Sequence, residues 1–175
     1  NTSFSICSLS GHKIFRNSEL LIRWIIIAAL ATIAVGGLMG ILVVFTRWPS
    51  VHFLPADLYY RFLTGHGINA LLAWIIFFEM ALVTYGSTTL LGTRYHGVWA
   101  GWLSFALMLI GGAVINVMVV SGKADVMFTS YVPLKADPIY YLGVILFAVG
   151  ALVGFIMFFV NVLYAKKEGA YKMSL

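Results

Sequence analysis

Residues 62–91 read FLTGHGINALLAWIIFFEMALVTYGSTTLL and contain, among aspartate, glutamate, lysine and arginine, only Glu79. A helix of about 20 predominantly apolar residues spans the roughly 30 Å hydrocarbon core of a bilayer. Inside lipid, only helices and closed barrels satisfy their own backbone hydrogen bonds, and an apolar run of this length favours a helix. This segment therefore predicts a membrane-spanning helix.

The composition extends this prediction to the whole chain of 175 residues. It is 62% hydrophobic and 10% charged, with a mean hydropathy of +0.98, whereas soluble domains carry about 25% charged residues. We therefore exclude a soluble protein and predict an all-α membrane protein with four transmembrane helices. The predicted spans are 20–45, 62–91, 98–120 and 139–165.

The same pattern divides the chain into three parts. We predict a polar leader over residues 1–19, a four-helix transmembrane domain over 20–165 and a tail over 166–175. Positive charge concentrates before the first span, between the second and third spans, and after the fourth. The positive-inside rule therefore predicts that both termini are cytoplasmic. Nucleic acid is excluded as a partner because no basic face exists away from these flanks.

His66 is the strongest candidate for a functional residue. It stands between Gly65 and Gly67, at the start of the second span and after a predicted external loop. Histidine is a common axial ligand of haem iron, and Gly67 beside it with Ala70 one turn on would leave room for a macrocycle. The alternative is a histidine hydrogen-bonded between helices. Residue type alone favours that alternative.

Glu79 is the only acidic residue deep in a predicted span. It follows His66 by thirteen positions, which is about 20 Å along a helix axis. A carboxyl group at this depth is part of a proton path, or it is protonated and hydrogen-bonded between helices. The sequence leaves both alternatives open.

Small and amide side chains within the spans predict helix contacts. Gly36 and Gly40 form a small-xxx-small pair that allows a neighbouring helix to approach closely. Asn69, Asn116 and Asn161 are expected to form hydrogen bonds between helices.

Three motifs appear in order along the chain. Residues 59–67 read YYRFLTGHG, residues 83–86 read VTYG, and residues 128–135 read FTSYVPLK. With these motifs the chain, from about residue 37 to 175, resembles helices I–IV of subunit I of the haem-copper oxidases, and the B-type branch looks closest.

The resemblance implies a function in electron transfer. His66 would be one axial ligand of a low-spin haem of a or b type, with Gly67 in the cofactor site. Electrons would come from cytochrome c, a cupredoxin domain or quinol and be used for O2 reduction in a prokaryotic cytoplasmic (inner) membrane. Glu79 would be a candidate for the proton path.

The chain also departs from the family pattern. The family's subunit I has many more helices, which carry the second haem ligand, the high-spin haem ligand and the copper-binding histidines. His12, His52 and His96 cannot replace them, because they lie in loops or flanks as solvated side chains without a ligand cluster. Copper would therefore belong to a partner chain or to a missing C-terminal part.

Several interpretations follow from this departure. The chain is a split subunit that needs another polypeptide, a truncated part of a longer protein, or a non-catalytic membrane anchor derived from the oxidase scaffold. A further alternative is that the chain is part of a related nitric oxide reductase, because those enzymes share the same scaffold. In each of the first two cases we expect other oxidase subunits as obligate partners.

Overall fold

The computed structural model describes residues 3–8 and 11–169. Two short strands, β1 (Phe4–Ile6) and β2 (Lys13–Phe15), form an antiparallel hairpin. Helices and π-helices make up the rest of the regular structure. In chain order they are α1 (Arg16–Arg47), α2 (Ala56–Gly67), π1 (Ile68–Ala73), α3 (Trp74–Tyr85), π2 (Gly86–Leu90), α4 (Val98–Val120) and α5 (Pro138–Lys167).

Four of these helical segments are long and apolar enough to cross a membrane, as predicted. The second is a composite, in which α2, π1, α3 and π2 run continuously from Ala56 to Leu90. The third agrees with the sequence prediction at both ends. The first extends beyond the predicted span by four residues at its start and two at its end, and the fourth by one and two residues. The second begins at Ala56, six residues before the predicted start. Polar residues continue these helices into the interface, where hydropathy no longer marks them.

The N-terminal leader differs most from expectation. The predicted leader, residues 1–19, contains the hairpin, and α1 already begins at Arg16. Ser18 is fully buried and its hydroxyl donates to the Phe15 carbonyl at 2.8 Å. The predicted tail begins inside α5, which continues to Lys167. Residues 1, 2, 9, 10 and 170–175 lie outside the described part of the chain.

Helices α4 and α5 are in backbone contact through glycine. A Cβ atom built on Gly111 would lie 2.5 Å from the Phe147 nitrogen and 2.6 Å from the Gly143 oxygen. One end of the contact is fixed by Ser104, whose hydroxyl donates to the Gly150 carbonyl at 2.7 Å. In lipid there is no hydrophobic driving force between helices, so they associate through close packing at small residues. Gly111 and Gly150 therefore allow the backbones of the two helices to approach closely.

The spans expose apolar side chains around much of the bundle. Leu38 of α1, Val117 of α4 and Leu163 of α5 are each more than 60% exposed. A soluble bundle would place polar residues on that surface. Lipid or other membrane helices therefore surround this bundle.

The two ends of the bundle differ in charge and structure. The chain crosses four times, so the hairpin, loop 91–97 and the end of α5 share one end, called here the basic end because it carries Lys13, Arg16, Arg94, Lys166 and Lys167. The opposite end carries the α1–α2 connection and loop 121–137. Within this second loop, Ala124 and Val126 are buried, so the loop folds back onto the helices.

Replacing Gly111 by Ala should destabilise the protein by about 1–3 kcal/mol, because the new methyl group meets backbone that cannot rotate away. Gly112→Ala is the matched control, since its Cβ atom would meet only the Phe147 ring at 3.8 Å. Thermal unfolding of the purified membrane complex measures the stability of both variants. Equal stability of the two variants would contradict the close backbone contact.

Candidate functional site

The site is built where α1 crosses the second span. A Cβ atom on Gly36 would lie 2.8 Å from the Ala70 nitrogen, and one on Gly40 would lie 2.7 Å from Nδ1 and Cε1 of His66. The small-xxx-small pair therefore packs against the second span, as predicted. Its two members have different contacts, because Gly36 meets backbone and Gly40 leaves space for the imidazole ring.

The His66 ring is oriented by a main-chain oxygen. Nδ1 lies 2.7 Å from the carbonyl oxygen of Gly36. Since that oxygen can only accept, Nδ1–H is the donor, and a neutral imidazole then carries its free electron pair on Nε2. Metal-binding histidines commonly use their second ring nitrogen in this way, which fixes the tautomer and the orientation of the ring. Among the described residues, Nε2 has no hydrogen-bond partner.

An open apolar groove of about 430 Å³ borders the His66 ring. Its floor is formed by glycines of α1, and its sides by large aliphatic and aromatic residues. The lining residues besides His66 are Gly37, Gly40, Ile41, Val44 and Phe45. A flat apolar ligand fits such a surface, because the glycines allow close approach and the side chains offer apolar contacts.

Directly after His66 the helix widens into π1. The π form is uncommon and occurs mostly as single turns, often at functional sites. In this turn Asn69 is almost fully buried and donates to the Gly65 carbonyl at 2.8 Å and to the Asn116 oxygen at 2.6 Å. Asn116 donates in return to Asn69 at 3.2 Å and to Gly112 at 2.9 Å. The predicted hydrogen bond between these helices is confirmed for this pair.

Gly67 occupies a different environment from the one predicted. A Cβ atom on Gly67 would lie 2.9 Å from Cβ of Phe128, so its missing side chain makes room for the loop after α4. Residues next to each other on a helix point about 100° apart, and this rotation takes Gly67 away from the groove beside His66. The space beside Ala70, which was also expected to be open, is occupied by the backbone of α1 at Gly36. Gly37 and Gly40 provide the open space instead.

Loop 121–137 is fixed to the start of the second span. The buried Thr64 hydroxyl donates to the Tyr60 carbonyl at 2.8 Å and accepts from the Met127 nitrogen at 2.9 Å. Met127 has a positive φ of 58°, which turns the chain so that Phe128 reaches Gly67. Two of the motifs that define the resemblance, 59–67 and 128–135, therefore lie in contact.

Glu79 lies on the outer surface of the bundle. Its side chain is exposed, and it has no hydrogen bond or ion pair in the part of the chain that the structure describes. Its neighbours on α3, Phe78 and Leu82, are 44% and 52% exposed. The alternative of a carboxyl group hydrogen-bonded between helices of this chain is therefore wrong. The described residues do not bring Glu79 together with His66.

The three other histidines remain apart from His66. No group of three or more potential metal ligands forms among the described residues. His52 is exposed, as predicted. His96 differs from the predicted solvated side chain, because its ring stacks on Tyr164 with centroids 4.1 Å apart and its Nε2 lies 3.3 Å from Oε1 of Glu168.

Asn161 serves a loop at the basic end. Its Oδ1 accepts from the backbone nitrogen of His96 at 2.6 Å, and its amide donates to the Met157 carbonyl at 2.7 Å. The predicted role was a bond between helices. The buried amide instead satisfies the backbone of the loop that precedes α4.

Comparison with known proteins is consistent with the three motifs. The family model described as cytochrome c and quinol oxidase polypeptide I matches residues 20–175. A curated relative, cytochrome c oxidase subunit 1 of Thermus thermophilus, is 30% identical over 95 residues. These residues are 54% of this chain and 17% of that relative.

A solved structure has the same fold. It is the cryo-EM structure of a heme-copper terminal oxidase dimer, which matches with a TM-score of 0.77 and 24% sequence identity. The match covers 87% of this chain and 26% of the solved chain. The four spans described here thus correspond in fold to about a quarter of a larger helical subunit.

Proposed function

This chain belongs to the cytochrome c and quinol oxidase polypeptide I family, and we propose that it contributes the first four helices of a haem-copper oxidase subunit I. In that role, His66 is one axial ligand of the low-spin haem. The observation that carries the proposal is the hydrogen bond of 2.7 Å from Nδ1 of His66 to the Gly36 carbonyl. It leaves Nε2 as the free nitrogen of a half-buried imidazole.

The surroundings of His66 fit a haem. The groove beside it is apolar and lined by two glycines, Gly37 and Gly40. A bound haem would supply one-electron transfer, with a potential set by its axial ligands and surroundings. The chain's own task is to hold the imidazole in the correct orientation, and to exclude water with Ile41, Val44 and Phe45.

The remaining parts of an oxidase come from outside these four helices. The described residues contain no cluster of three histidine, cysteine or acidic side chains for copper. We therefore assign copper and the second haem ligand to other helices of the complex. Cytochrome c, a cupredoxin domain or quinol is the electron donor, O2 is the acceptor, and the complex lies in a prokaryotic cytoplasmic membrane with the basic end of this chain inside.

Glu79 supports the presence of further helices on the outer face of α3. An ionisable side chain within the hydrocarbon region is costly when it faces lipid, and such residues face a protein interior or a water-filled path. Because no described residue forms a hydrogen bond or an ion pair with the Glu79 carboxyl group, we infer that a helix of another part of the complex covers it. We propose that Glu79 contributes to a proton path along that contact.

His66→Ala should remove the low-spin haem absorption band from the reduced-minus-oxidised spectrum of the purified complex, because an axial ligand is lost. His52→Ala is the control, since His52 lies at the same end of the bundle but is exposed in the α1–α2 connection. An unchanged low-spin band in the His66 variant would reject the ligand assignment. It would favour the alternative of a membrane anchor that keeps the oxidase scaffold.

Gly40→Ala should lower haem affinity by roughly 10- to 100-fold, as loss of a group that orients a metal ligand commonly does. The new methyl group would collide with the imidazole, whose Nδ1 and Cε1 lie 2.7 Å from the Cβ position. Haem content per complex and the position of the low-spin band measure the effect. Gly112→Ala should leave both unchanged, and equal behaviour of the two variants would contradict the proposal.

Glu79→Gln should lower the rate of O2 reduction by the complex about tenfold, which corresponds to an activation free energy about 1.4 kcal/mol higher. The haem content should remain unchanged. Glutamine keeps the size and polarity of the side chain and cannot release a proton. Proton uptake by the complex in vesicles provides the second measurement. Glu19→Gln is the control, because Glu19 pairs with Arg23 at the basic end. Full turnover and full proton uptake in the Glu79 variant would reject the proton path.

A further inference from the structure

A polar recess of about 290 Å³ lies at the basic end of the bundle, far from His66. It is enclosed by β2, the first turn of α1, loop 91–97 and the start of α4. The charged and polar residues that line it are Ser3, Arg16, Asn17, Arg94, Tyr95 and His96. None of the roles proposed above uses this recess.

The two arginines of the recess have no acidic partner. Neither Arg16 nor Arg94 forms a hydrogen bond or an ion pair through its side chain in the part of the chain that the structure describes. Of the acidic residues at this end, Glu19 pairs with Arg23 at 2.6 Å. Glu168 does not line the recess, but its Oε1 lies 3.3 Å from Nε2 of His96, which does. The recess is therefore bordered by two exposed guanidinium groups without an acidic partner among the described residues. The planar donor fork of guanidinium matches two oxygens of a phosphate or carboxylate group.

Two helices add positive potential at the same place. Helix α1 has 32 residues and helix α4 has 23 residues, and both begin at the recess. Their N-cap residues, Phe15 and Gly97, provide no side-chain hydrogen bond to the first-turn amides. The Arg16 amide at the start of α1 donates to the Ser3 carbonyl at 3.3 Å, so the later amides of that turn are the ones that face an anion. Helix N-termini favour anions through these amides and through the helix dipole. Here they act together with the two arginines.

The recess gains no negative charge from its tyrosine. Burial raises the pKa of Tyr95 to about 12, so the phenol stays neutral at physiological pH. An anion that enters the recess therefore meets two arginines and two helix N-termini without a fixed opposing charge on its walls.

The tryptophans at this end place the recess at the level of lipid headgroups. Trp24 of α1 and Trp99 of α4 are 48% and 74% exposed, and exposed tryptophan marks the interface between membrane and water. Trp99 stands two residues after Gly97, which lines the recess. We propose that this recess binds the phosphate group of an anionic phospholipid, with Arg16 and Arg94 as the principal ligands.

The test is native mass spectrometry of the intact complex that contains this chain, after removal of bound lipid. Dioleoyl phosphatidylglycerol is titrated against dioleoyl phosphatidylcholine, and inorganic phosphate is added in a separate series. The variants are the double substitution Arg16→Gln with Arg94→Gln, and Arg94→Gln alone. Lys167→Gln is the matched control, because it removes one positive charge from the same end without touching the recess.

We expect one phosphatidylglycerol molecule to bind tightly to the native complex and to the Lys167 variant. Binding should weaken roughly tenfold or more in the Arg94 variant and further in the double variant, since a hydrogen bond to a charged group is lost each time. In an alternative outcome, millimolar phosphate displaces the lipid from the native complex but binds more weakly to the Arg94 and double variants. That result would support an anion site in the recess and identify free phosphate as its occupant.

Two results would overturn the proposal. In the first, the arginine variants bind phosphatidylglycerol as tightly as the native complex. In the second, the Lys167 variant loses as much affinity as the Arg94 variant, which indicates general attraction to a basic surface. Arg94→Lys covers the case in which the glutamine variants fail to assemble. It keeps the charge but not the planar donor fork, so unchanged binding in that variant also counts against the proposal.

Discussion

Contact between helix backbones at small residues is the constraint on which this bundle depends. Lipid tails are as apolar as leucine, so exclusion of apolar surface cannot hold spans together, and close packing must do so. Gly36 brings α1 to within contact of the second span, and Gly111 does the same for α4 and α5. These two contacts involve all four spans, and the hydrogen bonds between Asn69 and Asn116 join one pair of spans to the other.

The candidate site follows from that packing rather than from a separate structure. The crossing of α1 over the second span provides a carbonyl acceptor for the His66 ring and a glycine gap for its edge. On another side of the same span, the amide pair of Asn69 and Asn116 ties the widened turn to α4. Phe128 closes a third side against Gly67. The imidazole is thus held by a segment that is anchored on three sides.

Sequence patterns predicted the four spans, because hydropathy reports burial in lipid directly. They also pointed to His66 and to the glycine pair of α1, but not to the contact between them, since helix partners are not encoded in a local pattern. The space around Gly67 was beyond prediction for the same reason, because Phe128, which fills it, belongs to the distant loop after α4. The face that carries Glu79 was beyond prediction for a different reason. A π-turn displaces every later side chain by roughly one residue's rotation, and π1 lies between His66 and Glu79.

The acceptor that orients His66 belongs to the main chain of residue 36. No side-chain substitution can remove this main-chain oxygen. A point mutation on α1 can therefore change the orientation of the His66 ring only by adding a larger side chain where α1 crosses the second span. Substitutions among the surrounding aliphatic residues leave the hydrogen bond between His66 and the Gly36 carbonyl intact as long as α1 still crosses the second span at this point. Distant relatives can therefore preserve the same imidazole geometry with little sequence in common, because the information is carried by the path of the backbone.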